Sequence, residues 1–120
     1  MQIREASDTS GLSIDTIRFY EKSGMLPPVQ RDGRGWRRFD PSTIEWLLNL
    51  ERLRATGMPM ADMKRFAELV HERDPEDHAA AMERLDILTR HRETLKQRQT
   101  ELDECAAYLE KKIRVYTLRK

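Results

Sequence analysis

Gly11-Leu12-Ser13-Ile14-Asp15-Thr16-Ile17-Arg18-Phe19-Tyr20-Glu21-Lys22-Ser23-Gly24 is the segment from which the architecture of this chain unfolds. Ser13 is a good N-cap, because its hydroxyl can accept from the free N–H groups of a first helical turn, and Asp15 suits the positive end of the helix dipole. Ile14 and Ile17 recur at helical spacing and face inward, with Phe19 or Tyr20 beside them. Gly24 is a natural stop. Upstream, Ile3, Ala6 and Ser7 suggest a short helix that Gly11 breaks, with Leu12 as an apolar plug. Two short helices joined by about four residues including a glycine form the helix-turn-helix pattern.

Beyond Gly24, Met25-Leu26-Pro27-Pro28-Val29 cannot continue a helix. A short extended hairpin is expected next, with Gly33 and Gly35 at or near its tip, in the manner of a wing. Its stretch from Arg31 to Arg38 holds four arginines against one acid. Net charge is only +1, so bulk charge announces no partner; this local patch can still neutralise phosphates. Asp40-Pro41 reads as an N-cap followed by proline at the first helical position. The helix it opens carries Ile44, Leu47, Leu48, Leu50 and Leu53 and stops at Gly57. Pro59 opens a fourth helix with Met60, Met63, Phe66, Leu69 and Val70 at helical spacing. Asp74-Pro75 repeats the cap-plus-proline signal and is expected to open the last helix.

That last helix contains neither Gly nor Pro through Lys120. Leu88, Leu95, Leu102, Leu109 and Tyr116 fall at steps of seven, and Leu85, Arg92, Gln99, Ala106 and Ile113 interleave with them. A 3-4 repeat over about four heptads predicts a coiled coil. Such a stripe needs a partner, and a second copy is the simplest. The interface is expected at Leu88, Leu95, Leu102, Leu109, Ile113 and Tyr116, with Arg92 and Gln99 fixing register. The expected fold is therefore mainly all-α: residues 1–75 a winged helix-turn-helix head with a small β-hairpin wing, and residues 76–120 a dimerisation helix.

At 120 residues, 38% hydrophobic and 36% charged, the chain suits a small head on a long solvated helix. It starts with no apolar run behind a basic segment, and no stretch approaches the ~20 apolar residues that cross a bilayer. One cysteine fits a reducing compartment, so the cytoplasm is expected and no membrane partner. Nothing resembles a phosphate loop, a Ser/His/Asp set or a placed carboxylate pair, so an enzyme is not expected. His71, His78 and His91 are scattered, and no metal or cofactor is expected.

Together these elements resemble the MerR family of bacterial transcription regulators. The resemblance rests on Gly11-Leu12-Ser13 with Thr16-Ile17-Arg18-Phe19-Tyr20-Glu21, on Gly24-Met25-Leu26-Pro27, on Arg31, Gly35, Trp36, Arg37 and Phe39 in the wing, and on Arg54, Thr56, Gly57 and Met58. It implies a homodimer joined by an antiparallel coiled coil, with a recognition helix in the major groove and a wing on the backbone. It also implies binding to double-stranded promoter DNA with an overlong spacer, which is bent and untwisted so that RNA polymerase can use it. Trp36 and Phe39 depart from the family's usual tyrosines; Phe39 has no hydroxyl to offer a phosphate, whereas Trp36 keeps an indole N–H.

Expected DNA contacts are Ser13, Thr16, Arg18 and Tyr20 from the helix and Arg34, Trp36, Arg37 and Arg38 from the wing. Arg18 is placed to read guanine, since a guanidinium can bridge its O6 and N7. Thr16 and Ser13 lie at a helix N-terminus, where phosphates bind; Ser13 serves equally as a cap alone. Tyr20 is assigned to a phosphate, with closing of the core as the alternative. Trp46, Met60, Met63 and Phe66 are a possible effector pocket, though core packing explains them as well. Cys105 sits at the rim of the seam, and a metal sensor of the resembled kind needs more than one thiol. An architectural DNA-bending or recombination accessory protein is the alternative reading, against which the heptads argue.

Overall fold

The computed structural model describes residues 1–27, 30–31, 33–35 and 37–119, without the side chains of Gln30 and Arg37. Among the described residues, five helices and one two-stranded hairpin follow in order: α1 (Ile3–Ser10), α2 (Ile14–Lys22), β1 (Gln30–Arg31), β2 (Arg37–Arg38), α3 (Pro41–Ala55), α4 (Met60–His71) and α5 (His78–Leu118). The architecture is mostly helical. The chain divides into two compact units, Met1–Leu85 and Asp86–Lys120, and the division falls inside α5.

In the first unit, local chemistry sets the helix ends. Gly11 takes φ +77°, and its N–H closes α1 by donating to the Ser7 carbonyl at 2.9 Å. An L side chain rarely adopts that conformation, so glycine belongs there. Ser13 caps α2, its Oγ accepting from the Thr16 N–H at 3.1 Å. Asp40 caps α3: its Oδ1 accepts from the Ser42 hydroxyl (2.7 Å), the Thr43 N–H (2.9 Å) and the Thr43 hydroxyl (3.0 Å). Those bonds, Ser42's foremost, hold the Asp40 carboxyl below its ordinary range. Pro41 follows at the first helical position.

The last helix starts later than Asp74-Pro75 suggests. Asp74 builds a turn instead, its Oδ1 accepting from the Glu76 N–H at 2.9 Å and its carbonyl from the Asp77 N–H. Asp77 then takes the capping role, with Oδ1 accepting from the Ala80 N–H at 3.1 Å, and α5 begins at His78.

The hairpin pairs antiparallel, Gln30 opposite Arg38 and Arg31 opposite Arg37. Arg31 Nη1 donates to the Gly35 carbonyl at 2.8 Å and ties the base of the hairpin to its tip. Where the chain leaves the hairpin, Phe39 and Met1 exchange backbone hydrogen bonds, and the Phe39 ring is fully buried. The ring that lacks a hydroxyl is thus a core residue rather than a phosphate neighbour.

The core of this unit gathers Ala6, Ile17, Tyr20, Met25, Phe39, Leu47, Leu50, Met63 and Ala67, all at 0% exposure. Burying each large apolar side chain contributes about 1.5–3 kcal/mol. Leu48 and Met60, both given apolar roles by spacing, are exposed. At the far side of α4, Arg65 grips Glu83 of α5 with Nε and Nη2, the latter at 3.0 Å, and reaches Glu68 at 3.2 Å.

The second unit is helix alone. From Lys96 to Arg119 every described residue is exposed, Leu102, Leu109, Ile113 and Tyr116 included. No helix of the described residues is long and apolar enough to cross a membrane.

Candidate nucleic-acid interface

A helix buries one face and must offer the other to something. In α2 the buried face is Ile17 and Tyr20, and Arg18 stands exposed on the opposite side. Around Arg18 lies an open groove of about 830 Å³ between α1, α2 and the hairpin. Gln2, Ile3, Arg4, Ile14, Arg18, Lys22, Arg31, Arg34 and Gly35 line it. Five of these nine are cationic and none is acidic. Such a concentration of one sign in a concave surface focuses a positive field and favours a polyanion.

The sequence-expected contacts distribute as follows. Arg18 and Arg34 come together in the groove. Ser13 is exposed and Thr16 half-buried at the N-terminus of α2, outside the groove lining, their hydroxyls 2.9 Å apart. Arg38 is exposed on β2. Trp36 and the side chain of Arg37 lie outside the described residues.

Tyr20 is corrected. Its ring is fully buried and its hydroxyl donates to Glu51 Oε1 on α3 at 2.6 Å. Burial first, then the Glu51 carboxylate, pushes its pKa up to about 12, with Arg54 opposing. A hydroxyl already committed to a carboxylate in the core is not available to a phosphate. Arg54, 3.9 Å from Glu51, also lies 5.9 Å from the centroid of the Phe19 ring. Two adjacent aromatic residues of α2 are therefore both engaged by the end of α3.

Gln2, Arg4, Lys22 and Arg31 are groove residues absent from the sequence-expected set. Lys22 carried a usable signal: it lies four residues after Arg18 and so shares its helix face. Arg31 belongs to the arginine-rich stretch but turns to the groove side of the hairpin. Arg4 and Gln2 enter only because α1 packs beside α2, which no local pattern announces.

The expected effector set separates. Met63 is core, Met60 is exposed, and neither is among the described residues lining the groove that holds the other two. Trp46 and Phe66 do share a second groove, their rings 6.2 Å apart and 6° from parallel. Trp46 Nε1 donates to the Met25 carbonyl at 2.7 Å, and the His71 ring meets its face edge-on at 4.7 Å. His71 Nε2 is buried without a hydrogen-bond partner. Burial pushes this imidazole below its ordinary range, against a hydrogen bond with the Met25 backbone.

Residues 1–69 match the model of the MerR HTH family regulatory proteins. An HTH-type transcriptional regulator of Haemophilus influenzae is 48% identical over 64 residues, which are 53% of this chain and 47% of that protein. The HTH-type transcriptional regulator YyaN of Bacillus subtilis is 31% identical over 122 residues, covering 95% of this chain and 88% of YyaN. Among solved structures, a MerR family regulator of Listeria monocytogenes superposes with TM-score 0.81 at 32% identity, over 94% of this chain and 83% of that one. HiNmlR, a MerR family regulator lacking the sensor domain and bound to promoter DNA, superposes with TM-score 0.76 at 36% identity, over 97% and 89%.

Proposed function

From the chain's membership of the MerR family of helix-turn-helix transcription regulators, we propose that it acts as a homodimer on promoter DNA and reads sequence there with Arg18. The observation that carries this reading is the groove itself: Arg4, Arg18, Lys22, Arg31 and Arg34 converge on it, with no acid among the described residues that line it. Its similarity to HiNmlR, a regulator bound to promoter DNA, supports the same assignment. Residues 1–75 form the reading head, and residues 76–120 the pairing helix.

Arg18 reaches a base edge in the major groove, where a bidentate guanidinium–guanine pair contributes about 1–3 kcal/mol of discrimination. Arg31, Arg34, Arg37 and Arg38 hold the wing on the adjacent backbone, which fixes register without reading sequence. Ser13 and Thr16 meet a phosphate at the helix N-terminus. Two heads held at a fixed separation bend and untwist the spacer between them, and RNA polymerase then uses the realigned promoter. Deforming the duplex costs several kcal/mol, offset by the backbone contacts that the bend permits.

Genome-wide mapping of bound sites, with promoter spacer lengths read from them, tests this. Occupancy at two-fold symmetric sites within long spacers is the expected result. Occupancy scattered away from promoters would reject promoter regulation in favour of an architectural role.

A further inference from the structure

The second groove of the Met1–Leu85 unit has the chemistry of a small-molecule site. It opens between α3, α4 and the first turns of α5, with a volume of about 360 Å³, within the size range of ligand pockets. Trp46, Leu53, Phe66 and Val70 supply an apolar wall, and Arg52 and Arg84 supply two guanidinium groups. Among the described residues no acidic side chain lines it. The contrast with the neighbouring arginines is informative. Arg65 is held by Glu83 and Glu68, and Arg54 by Glu51. No ion pair to Arg52 or Arg84 is found among the described residues; Arg84 donates only to the Leu69 carbonyl, at 2.9 Å. Two cations beside stacked aromatic rings, with no carboxylate among the described residues to answer them, leave the anion to be supplied from outside.

We propose that this groove binds a small carboxylic acid with a flat apolar body. The body lies against Trp46 and Phe66, whose near-parallel rings suit a planar group. The carboxylate is answered by Arg52 from α3 and Arg84 from α5, and a guanidinium matches a carboxylate in geometry as well as charge. This goes beyond promoter binding and does not rest on it.

Trp46 sits in the groove wall and reports its occupancy. The full chain carrying Trp36→Phe retains Trp46 as its only tryptophan. Titrating it with benzoate and with the neutral isostere benzamide, in the absence of DNA, is expected to give a saturable change in fluorescence for benzoate by roughly 10 mM. Benzamide should bind at least about tenfold more weakly, since a charge-assisted bond is replaced by a neutral one. Arg52→Gln should erase most of that difference while leaving the weak benzamide response, and Phe66→Ala should lower both. Saturation-transfer NMR of benzoate on the unsubstituted chain makes the same comparison should Trp36→Phe disturb folding. Equal affinity for acid and amide, no saturable response, or indifference to Arg52→Gln would overturn the proposal. So would a response confined to the Leu95→Lys, Leu102→Lys variant, which would instead show a second copy to be the occupant. Because operator binding is not read in these titrations, their failure leaves the DNA-binding assignment untouched.

Discussion

Arg18 and Tyr20 lie two residues apart on α2, and the helix turns them to opposite fates. Arg18 is exposed in the cationic groove, whereas the hydroxyl of Tyr20 is held by Glu51 in the core. Their variants should separate accordingly. Arg18→Ala is expected to lose about 1–3 kcal/mol of discrimination between operator and random DNA while the fold is unchanged; competition binding checks it, and intact discrimination would remove Arg18 from the recognition role. Tyr20→Phe removes the hydroxyl that donates to Glu51, leaving Arg54 as its partner, and should cost about 1 kcal/mol in urea unfolding. Its DNA affinity should keep the same salt slope, because no phosphate contact is lost. A single sequence could not choose between these fates for Tyr20. In a helix of nine residues Phe19 and Tyr20 both border the apolar face, and the deciding partner, Glu51, lies 31 positions away. His71 adds a pH dependence. Its folded-state pKa is depressed, so the unfolded chain binds the proton more readily. Stability should be full above about pH 6.5, the ordinary imidazole value, and fall as the pH drops below it. Urea midpoints across that range should slope for the unsubstituted chain and flatten in His71→Gln; an unchanged slope would assign the acid sensitivity to other groups.

At the level of the elements, the helix ends depend on a few capping atoms. Gly11→Ala meets nothing within 4 Å of the added Cβ, so its cost is conformational, about 1–2 kcal/mol from forcing φ +77° on an L side chain. Thermal unfolding measures it, and a neutral result would mean that the turn between α1 and α2 relaxes without penalty. Such ends were legible from sequence wherever cap and stop are adjacent to the helix they serve: Ser13, Asp40-Pro41, Gly11 and Gly57. Asp74-Pro75 carries the same signal and misleads by three residues, since Asp77 is a second capping aspartate in the same turn and wins the helix start. The cationic groove was half legible. Arg18 and Arg34 follow from motif and composition, and Lys22 follows from helical spacing. Arg4 and Gln2 depend on how α1 lies beside α2, information carried by packing rather than by any local pattern. The same limit explains the apolar set in α3 and α4. Periodicity identified Met60, Met63 and Phe66 as apolar positions but not their depth, Trp46 stood outside the spacing read for α3, and the structure sends Met63 inward, Met60 outward and the two rings to a shared wall.

Taken as a whole, the molecule gives about a fifth of its length, Lys96 to Arg119, to a helix segment in which every residue is exposed. Leu102, Leu109, Ile113 and Tyr116 remain 56–68% exposed in the single chain. Leu95→Lys with Leu102→Lys should therefore give monomers by sedimentation while the Met1–Leu85 unit keeps its own unfolding transition; a persistent dimer would place the seam elsewhere. An isolated helix of this polarity is marginal in water, and most of its stability must come from tertiary or quaternary packing. If pairing is what orders it, the amount of folded, operator-competent protein rises with the square of chain concentration when copies are scarce, and linearly only once they are abundant. A bacterium holding few copies would then possess a threshold set by gene dosage: halving expression near that threshold would cut promoter occupancy by more than half, with no inducer involved.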